Sequence, residues 1–327
     1  MVEARPFWSV MVPAYSPRAD YLAATLQSVL DQDPGPGEMQ IEVVDDGSPA
    51  RDVEGMVKSF GKGRVAFFRT PENLGLAGCW NACVERARGE WIHILHQDDL
   101  VFPGFYESLR RGIEACPQAG AAYCRHAYCD ENGHWQRLSV LERPVPGVLQ
   151  NFVEGLMTQE RIQCASIVVK QTTYAEVGRF NPDLKHALDW DMWIRIASKF
   201  PIHYEPKILA CWRNHANAST SRQIRSGENI RDIVKAIGLL GRHVPGDEGR
   251  RLSALMRDRI AREGLWTARQ LLAQNDWEGS LNQTRAALLC KHTFRFQVLA
   301  AKIRMKALAK KILCKCRARK TAAQQTT

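Results

Sequence analysis

Short apolar runs that end in acid or turn residues recur through the first hundred positions, separated by stretches with apolar residues at helical spacing. Trp8–Val12 is the first run and stops at Pro13, Ala14 and Tyr15, after which Leu22, Leu26, Val29 and Leu30 predict a helix. Ile41–Val44 is the second, ending in Asp45 and Asp46 before the turn residues Gly47 and Ser48. Val65–Phe68 is the third; the loop Asn73–Gly78 then leads into a helix carrying Trp80, Asn81 and Val84. The fourth is Trp91, Ile92, Ile94 and Leu95, which stops at Gln97, Asp98 and Asp99. Strands alternating with helices predict an α/β fold with a doubly wound, mostly parallel, Rossmann-like sheet, whose ligands belong at the carboxyl ends of the strands.

Further along, Ile162–Lys170 reads as a strand, and Trp193, Ile194 and Ala197 fall on helical spacing. Beyond Asn229 the pattern is helical: Ile230–Leu240, Leu252–Gln274 and Trp277–Cys290, the last two joined near Asn275 and Asp276 like one tetratricopeptide-type hairpin. In Ala301–Cys316 an apolar stripe of Ala301, Met305, Leu308, Ile312 and Cys316 is flanked by Lys302, Lys306, Lys310, Lys311 and Lys315, the composition of an interfacial helix. Thr321–Thr327 is expected to be disordered. The expected organisation is a sheet domain over 1–228, divided near 103 and 104, then a helical appendage over 229–297 and a basic tail over 298–327.

Charge sharpens this division. Residues 279–327 hold twelve Lys or Arg and no Asp or Glu, leaving 33 basic against 35 acidic residues in 1–278. A near-neutral body with a basic terminus points to an anionic surface, a membrane or nucleic acid. Little aromatic interleaving beyond Phe294 and Phe296 disfavours nucleic acid, and none is expected as a partner. No apolar run approaches the roughly 18 to 20 residues that span a bilayer, and Met1–Pro6 lacks the order of a secretory signal. A cytoplasmic chain is therefore expected, peripheral on the membrane if the tail binds it. Its ten cysteines form no paired CxxC set and are expected to be mostly buried free thiols.

The candidate chemistry starts at Asp98 and Asp99. Two adjacent carboxylates at a strand end repel, and a divalent cation relieves this, with Asp98 as its carboxylate; the alternative is a turn that caps the helix starting near Gly104.

Val10-Met11-Val12-Pro13-Ala14-Tyr15, Glu42-Val43-Val44-Asp45-Asp46-Gly47-Ser48, Asn73 with Gly75, and His96-Gln97-Asp98-Asp99 stand in that order. Together they resemble the landmarks of the inverting family 2 nucleotide-sugar glycosyltransferases of GT-A fold, over roughly residues 8–222. The resemblance implies a nucleotide-sugar donor, UDP-sugar favoured, bound by Pro13, Ala14, Tyr15, Asp46, Asn73, His96, Gln97 and Asp98. Tyr15 would stack on the base and Asp46 would accept from its imide N–H, although Pro13 also serves as a strand terminator and Asp46 as a turn residue. Family members place Asp at position 96; His96 can hydrogen-bond ribose or phosphate, and direct metal contact through it is not expected.

In the second half, Leu188-Asp189-Trp190-Asp191 resembles the family's catalytic segment. It implies Asp189 as the general base, with Asp191 as fallback, against a plain N-cap role for Asp189. Trp190 would stack on an acceptor sugar, Trp193 would be core, and His215 would join Asp98 as metal ligand unless it is an ordinary loop histidine. Asn217–Gly227 reads as a polar closing loop. The implied function is metal-dependent transfer, with Mn²⁺ or Mg²⁺, to a glycan or glycolipid hydroxyl in surface polysaccharide or glycolipid synthesis. The competing readings are a non-catalytic sugar-nucleotide or glycan-binding protein and a nucleotidyltransferase of similar fold.

Overall fold

The computed structural model describes residues 5–49, 51–150, 152–215, 219–240, 243–244 and 246–324, with backbone alone for Ser219 and 312–324. The chain divides into two units, Met1–His215 and Ala216–Thr327.

The first unit runs β1 (Trp8–Ala14), α1 (Ala19–Leu30), β2 (Met39–Asp45), α2 (Val53–Phe60), β3 (Ala66–Arg69), α3 (Gly75–Arg86), β4 (Trp91–Ile94), β5 (Leu100–Val101) and α4 (Phe105–Ala115). It continues through β6 (Ala121–Cys129), β7 (Trp135–Leu138), β8 (Gly147–Leu149), α5 (Phe152–Thr158), β9 (Ile167–Lys170), α6 (Gln171–Val177), α7 (Leu188–Ala197) and β10 (Ile202–Arg213). One sheet holds these strands in the order β3-β2-β1-β4-β9-β6-β10-β5, with β7 on β6 and β8 on β10. β3, β2, β1 and β4 are parallel, as are β6 and β10, while β9 enters antiparallel between β4 and β6. This is the α/β architecture that the alternation of runs predicts.

β1 is the buried centre of the parallel half, and its alternate apolar residues feed two adjoining cores on one face of the sheet. Trp8 and Val10 pack with Phe105 and Leu109 of α4, while Val12 and Ala14 pack with Leu22 and Leu26 of α1 and Val53 of α2. Pro13 fits inside this strand because of where its neighbour stops. Met11 O accepts from Leu95 N (3.0 Å) and Ala14 O from Asp46 N (2.8 Å). Backbone groups alternate sides along a strand, so Pro13 faces the side where β4 has ended and its missing N–H costs the ladder nothing.

Several expectations shift. The strand expected over Ile162–Lys170 is extended only from Ile167, because Cys164–Ser166 forms a 3-10 turn with Ser166 N on Gln163 O. β10 is long and runs through Cys211–Arg213. Cys129 and Cys211 form a disulfide between β6 and β10, whereas Cys79, Cys83, Cys116, Cys124, Cys164 and Cys290 are buried free thiols as expected.

The second unit is helical: α8 (Ser219–Ser226), α9 (Glu228–Leu240), α10 (Gly246–Ala273), α11 (Trp277–Cys290) and α12 (Phe294–Gln324). Asn217 and Ala218 of the expected closing loop lie outside the described residues, and Ser219–Ser226 is helix rather than loop. Gln283 Nε2 donates to Ile224 O and to Asn229 Oδ1 (2.7 Å), and Asn282 Nδ2 to Arg225 O (3.1 Å), tying α8 into this unit. The division therefore falls after His215 rather than at 228. Asn275 takes a left-handed φ of 65°, and Asp276 caps α11 through Gly279 N (2.8 Å), which makes the expected hairpin turn. α12 runs to Gln324, so Thr321–Gln324 are helical and not disordered; 325–327 lie outside the described residues.

Gly89, at the entrance to β4, has no room for a side chain: a Cβ there would lie 2.5 Å from Trp8 C and from Ser9 N, both backbone atoms. Gly89→Ala is expected to lower stability by about 1–3 kcal/mol, while Gly37→Ala, with nothing within 4 Å, leaves it unchanged. Thermal melting followed by circular dichroism checks both.

Candidate active site

The carboxyl ends of β1, β2 and β4 converge on a polar edge. At β1, Tyr15 is 49% exposed, and its backbone is fixed by the Gln97 side chain, which accepts from Tyr15 N (2.8 Å) and donates to Tyr15 O (3.3 Å). Gln97 thus positions the aromatic ring with an amide that is itself already used. Ser16 follows with φ 46°, an uncommon backbone state for a non-glycine residue, and its N–H donates to Ser48 Oγ (2.8 Å). Ser48 in turn donates to Asp45 Oδ1, and Arg69 Nε pairs with Asp45 Oδ2 (2.6 Å).

With Asp45 serving the turn, Asp46 is left for other work. Its carboxyl is buried and accepts from Leu74 N (2.7 Å), and burial raises its pKa against the opposing backbone hydrogen bonds. Asn73 stitches the opposite loop to it: Nδ2 donates to Asp46 O (3.1 Å) while Oδ1 accepts from Gly75 N (3.2 Å). Gly47, at φ 66°, permits this closure, since a Cβ there would meet Asn73 N and Glu72 C at 3.1 Å.

The loop after β4 carries the acid. Neither aspartate caps α4, whose N-cap is Gly104 without a side-chain bond. Asp99 is 1% exposed; its Oδ1 accepts from Arg213 N (2.9 Å), and its Oδ2 lies 3.4 Å from His96 Nδ1. Asp98 Oδ2 meets His215 Nε2 at 2.8 Å. His96 stacks on Trp80, ring centroids 4.9 Å apart. Burial opposes a charged His96, yet Asp99, Asp98 and Asp189 outweigh it and raise the imidazole pKa; burial raises the Asp99 carboxyl.

His96, Asp98 and Asp99 each present a ligand atom, all within 4.8 Å of one another. His96 Nε2 and Asp99 Oδ2 are also buried without a hydrogen-bond partner, so the cluster has two polar atoms that a cation would satisfy. One imidazole and two carboxylates suit a divalent ion such as Mn²⁺ or Mg²⁺, and the imidazole suits Mn²⁺ better. The cluster includes His96, which the sequence reading left out of the metal set, and adds Asp99; His215 stands behind it, on Asp98.

α7 supplies the fourth part. Asp189 is its second residue, and the N-cap is Ala187 with no side-chain bond, so Asp189 is not the cap. Its Oδ1 accepts from Trp190 N (2.8 Å). Still partly open to solvent, it is enclosed enough that burial, then the charge of Glu160, push its pKa up to about 7. Glu160 had no signal in the sequence pattern. Asp191 differs: its Oδ2 pairs with Arg195 Nε (2.9 Å), and Arg195 also donates to Val177 O (2.6 Å) and Arg179 O (2.9 Å). Asp191 is thereby committed to holding the loop before α7. Trp190 is 7% exposed and its Nε1 donates to Leu156 O (2.6 Å), a packing position that offers no open face to a sugar. Trp193 is core, as expected.

An open α/β sheet with an acidic cluster and a high-pKa carboxyl at its carboxyl edge has the arrangement of an enzyme's ligand-binding site. Residues 9–172 match Glycosyl transferase family 2, and the chain belongs to that family. An uncharacterised protein of Mycobacterium tuberculosis is 27% identical over 240 residues, covering 70% of this chain and 74% of that one. An uncharacterised glycosyltransferase of Rickettsia felis is 25% identical over 219 residues, 66% of this chain but only 36% of that longer protein. Among solved structures, S. aureus TarS 1–349 in complex with UDP-GlcNAc superposes with a TM-score of 0.62 at 16% identity, covering 93% of this chain and 88% of that one. The mannosyltransferase PcManGT from Pyrobaculum calidifontis, in complex with GDP-Man and Mn²⁺, gives 0.57 at 16% identity, covering 94% and 86%. At these identities the likeness establishes the fold, which is of GT-A type.

Two outcomes are expected. Asp98→Ala should abolish Mn²⁺ binding in calorimetry, because it removes a carboxylate from the cluster and frees His215. Asp189→Asn should change the pH dependence of stability in metal-free buffer. A carboxyl raised from 3.8 to about 7 holds a proton in the folded chain that the unfolded chain releases. Its stabilisation is full below 3.8 and is lost as pH rises through about 7. The melting temperature of the variant should therefore gain on the wild type as pH rises across that window.

Proposed function

We propose that this protein transfers a sugar from a nucleoside diphosphate sugar, a UDP-sugar first, to a hydroxyl of a glycan or glycolipid acceptor with inversion at the anomeric carbon. The observation that carries the reading is Asp189, a partly solvent-accessible carboxyl with a pKa of about 7, electrostatically coupled to His96 beside Asp98. A base with that pKa is half ionised near neutrality and can both accept and release a proton.

The base of the donor lies against Tyr15, with Asp46 accepting its imide N–H and Gln97 holding the Tyr15 backbone in place. The likeness to S. aureus TarS, solved with UDP-GlcNAc, supports this choice of nucleotide. His96, Asp98 and Asp99 would hold Mn²⁺ or Mg²⁺, which when bound supplies positive charge beside the departing diphosphate. Asp189 takes the proton of the acceptor hydroxyl as its oxygen bonds to the anomeric carbon. The bond from that carbon to the diphosphate oxygen breaks on the opposite face, and its electron pair leaves with the nucleoside diphosphate. No covalent enzyme intermediate is needed. Asp191, paired with Arg195, stays out of the chemistry and keeps α7 docked on its entering loop.

Nucleoside diphosphate release from UDP-GlcNAc, UDP-glucose and GDP-mannose with Mn²⁺ and a panel of glycan acceptors tests the function and the donor together. Turnover with none of these in the presence of tight donor binding would leave a sugar-nucleotide-binding protein. Asp189→Asn is expected to lower kcat by at least about 10² while donor affinity stays within a few fold. Near-normal kcat would remove Asp189 from the role of base.

A further inference from the structure

Within the helical unit, α10, the α11–α12 connection and the start of α12 line an open pocket of about 420 Å³. Leu265, Phe296 and Leu299 form its apolar wall, and Arg262, Arg269, Lys291 and Arg295 bring four cations to it. Asp258 already pairs with Arg262 and Lys291. Arg269 and Arg295 are exposed and have neither an ion pair nor a hydrogen bond among the described residues. Two uncompensated guanidinium groups over a partly apolar pocket fit an anion attached to something apolar.

α12 shows what the apolar part is. Its buried face is Ala300, Ile303 and Ala307, which are at most 3% exposed. At 3.6 residues per turn, Phe294, Val298, Ala301, Met305 and Leu308 lie within about 40° of a single line on the opposite face. That second stripe is open: Phe294 is 81% exposed, Met305 64%, Leu308 48% and Val298 38%. Arg295, Lys302 and Lys306 flank it on one side and Arg304 on the other, and no Asp or Glu occurs from residue 279 onward. Trp266, 63% exposed, stands at the same pocket. A helix apolar on two opposite faces needs two partners, and the helical core supplies only one.

We infer that this corner of the helical unit binds an anionic phospholipid surface. Arg269 and Arg295 take a headgroup phosphate at the pocket, while Trp266 and the open stripe of α12 enter the boundary between headgroups and acyl chains. Charge selects this occupant. A second copy paired about a two-fold axis would set these cations against their own kind, and a nucleic acid would leave the apolar stripe in water. No helix among the described residues is long and apolar enough to cross a membrane, so the contact is one of lying on the surface. The inference goes beyond the transfer reaction and does not depend on it.

The full chain is sedimented with vesicles of phosphatidylcholine alone and of phosphatidylcholine mixed with phosphatidylglycerol. Binding is expected only to the mixed vesicles. Arg269→Glu combined with Arg295→Glu should weaken it about tenfold or more, and so should Phe294→Ser combined with Met305→Ser, each variant first shown to melt like the wild type. Bromine-labelled acyl chains should quench tryptophan emission, and Trp266→Phe should lose that part of the quenching. Vesicle binding by both double variants equal to wild type would overturn the inference. So would glycerophosphoglycerol binding as tightly as vesicles, which would make the site one for soluble phosphate esters, or self-association in light scattering that Phe294→Ser with Met305→Ser abolishes. Transfer to a soluble acceptor is measured separately: vesicle binding without any transfer would count against the enzymatic reading and leave this one intact.

Discussion

Four residues after β4, His96 to Asp99, must hold two adjacent carboxylates at the edge of a buried sheet, and the surrounding structure is arranged to make that possible. Asp99 is anchored by the backbone of Arg213 and faces His96; Asp98 is met by His215; Gln97 reaches across to the backbone of Tyr15. β1 and β10, near the two ends of the first unit in sequence, are thus both tied to this loop. The tie has a chemical consequence. Disturbing the acidic loop disturbs the Tyr15 backbone and His215 together, so in the proposed reaction donor and metal recognition would be one mechanical unit.

Two aspartates two positions apart on α7 show how environment divides labour between identical groups. Asp191 is neutralised at 2.9 Å by Arg195, which uses its remaining donors to collect carbonyls of the entering loop. Asp189 has no ion pair with Lys or Arg among the described residues, and burial with the charge of Glu160 raises its pKa to about 7. The first is suited to holding structure, the second to moving a proton. Trp190 between them packs inward on Leu156, which keeps the helix start in register with α5.

The helical unit has a different physical logic. Its core is closed by small residues and β-branched side chains from α9 to α12, and polar ties such as Gln283 to Asn229 bring α8 into it. All the surplus positive charge of the chain lies in this unit, which holds 23 Lys or Arg against 8 Asp or Glu from residue 216 onward. Concentrating charge there leaves the sheet unit with 22 basic against 27 acidic residues over 1–215, so attraction to an anionic surface acts on the helices and not on the sheet unit.

Sequence pattern alone determined the alternating strands and helices of the first hundred residues, the α10–α11 hairpin with its Asn275–Asp276 turn, the basic end and the order of the polar strand ends. These are local properties: strand and helix periods, caps and turn residues act over a few positions, and the α/β class follows from their alternation. Tertiary structure decided everything that depends on which distant residues meet. The antiparallel entry of β9, the extent of β10 through Cys211–Arg213 and the pairing of Cys129 with Cys211 rest on long-range contacts that no local period encodes. The same holds for the site: Asp98 and Asp99 were legible as acid at a strand end, but only the fold brought His96 into their cluster, set His215 on Asp98, gave Arg195 to Asp191 and left Asp189 beside Glu160. A residue's type can be read in one dimension, whereas its protonation state and its partners are set by the dielectric and charges around it, and those exist only once the chain has folded.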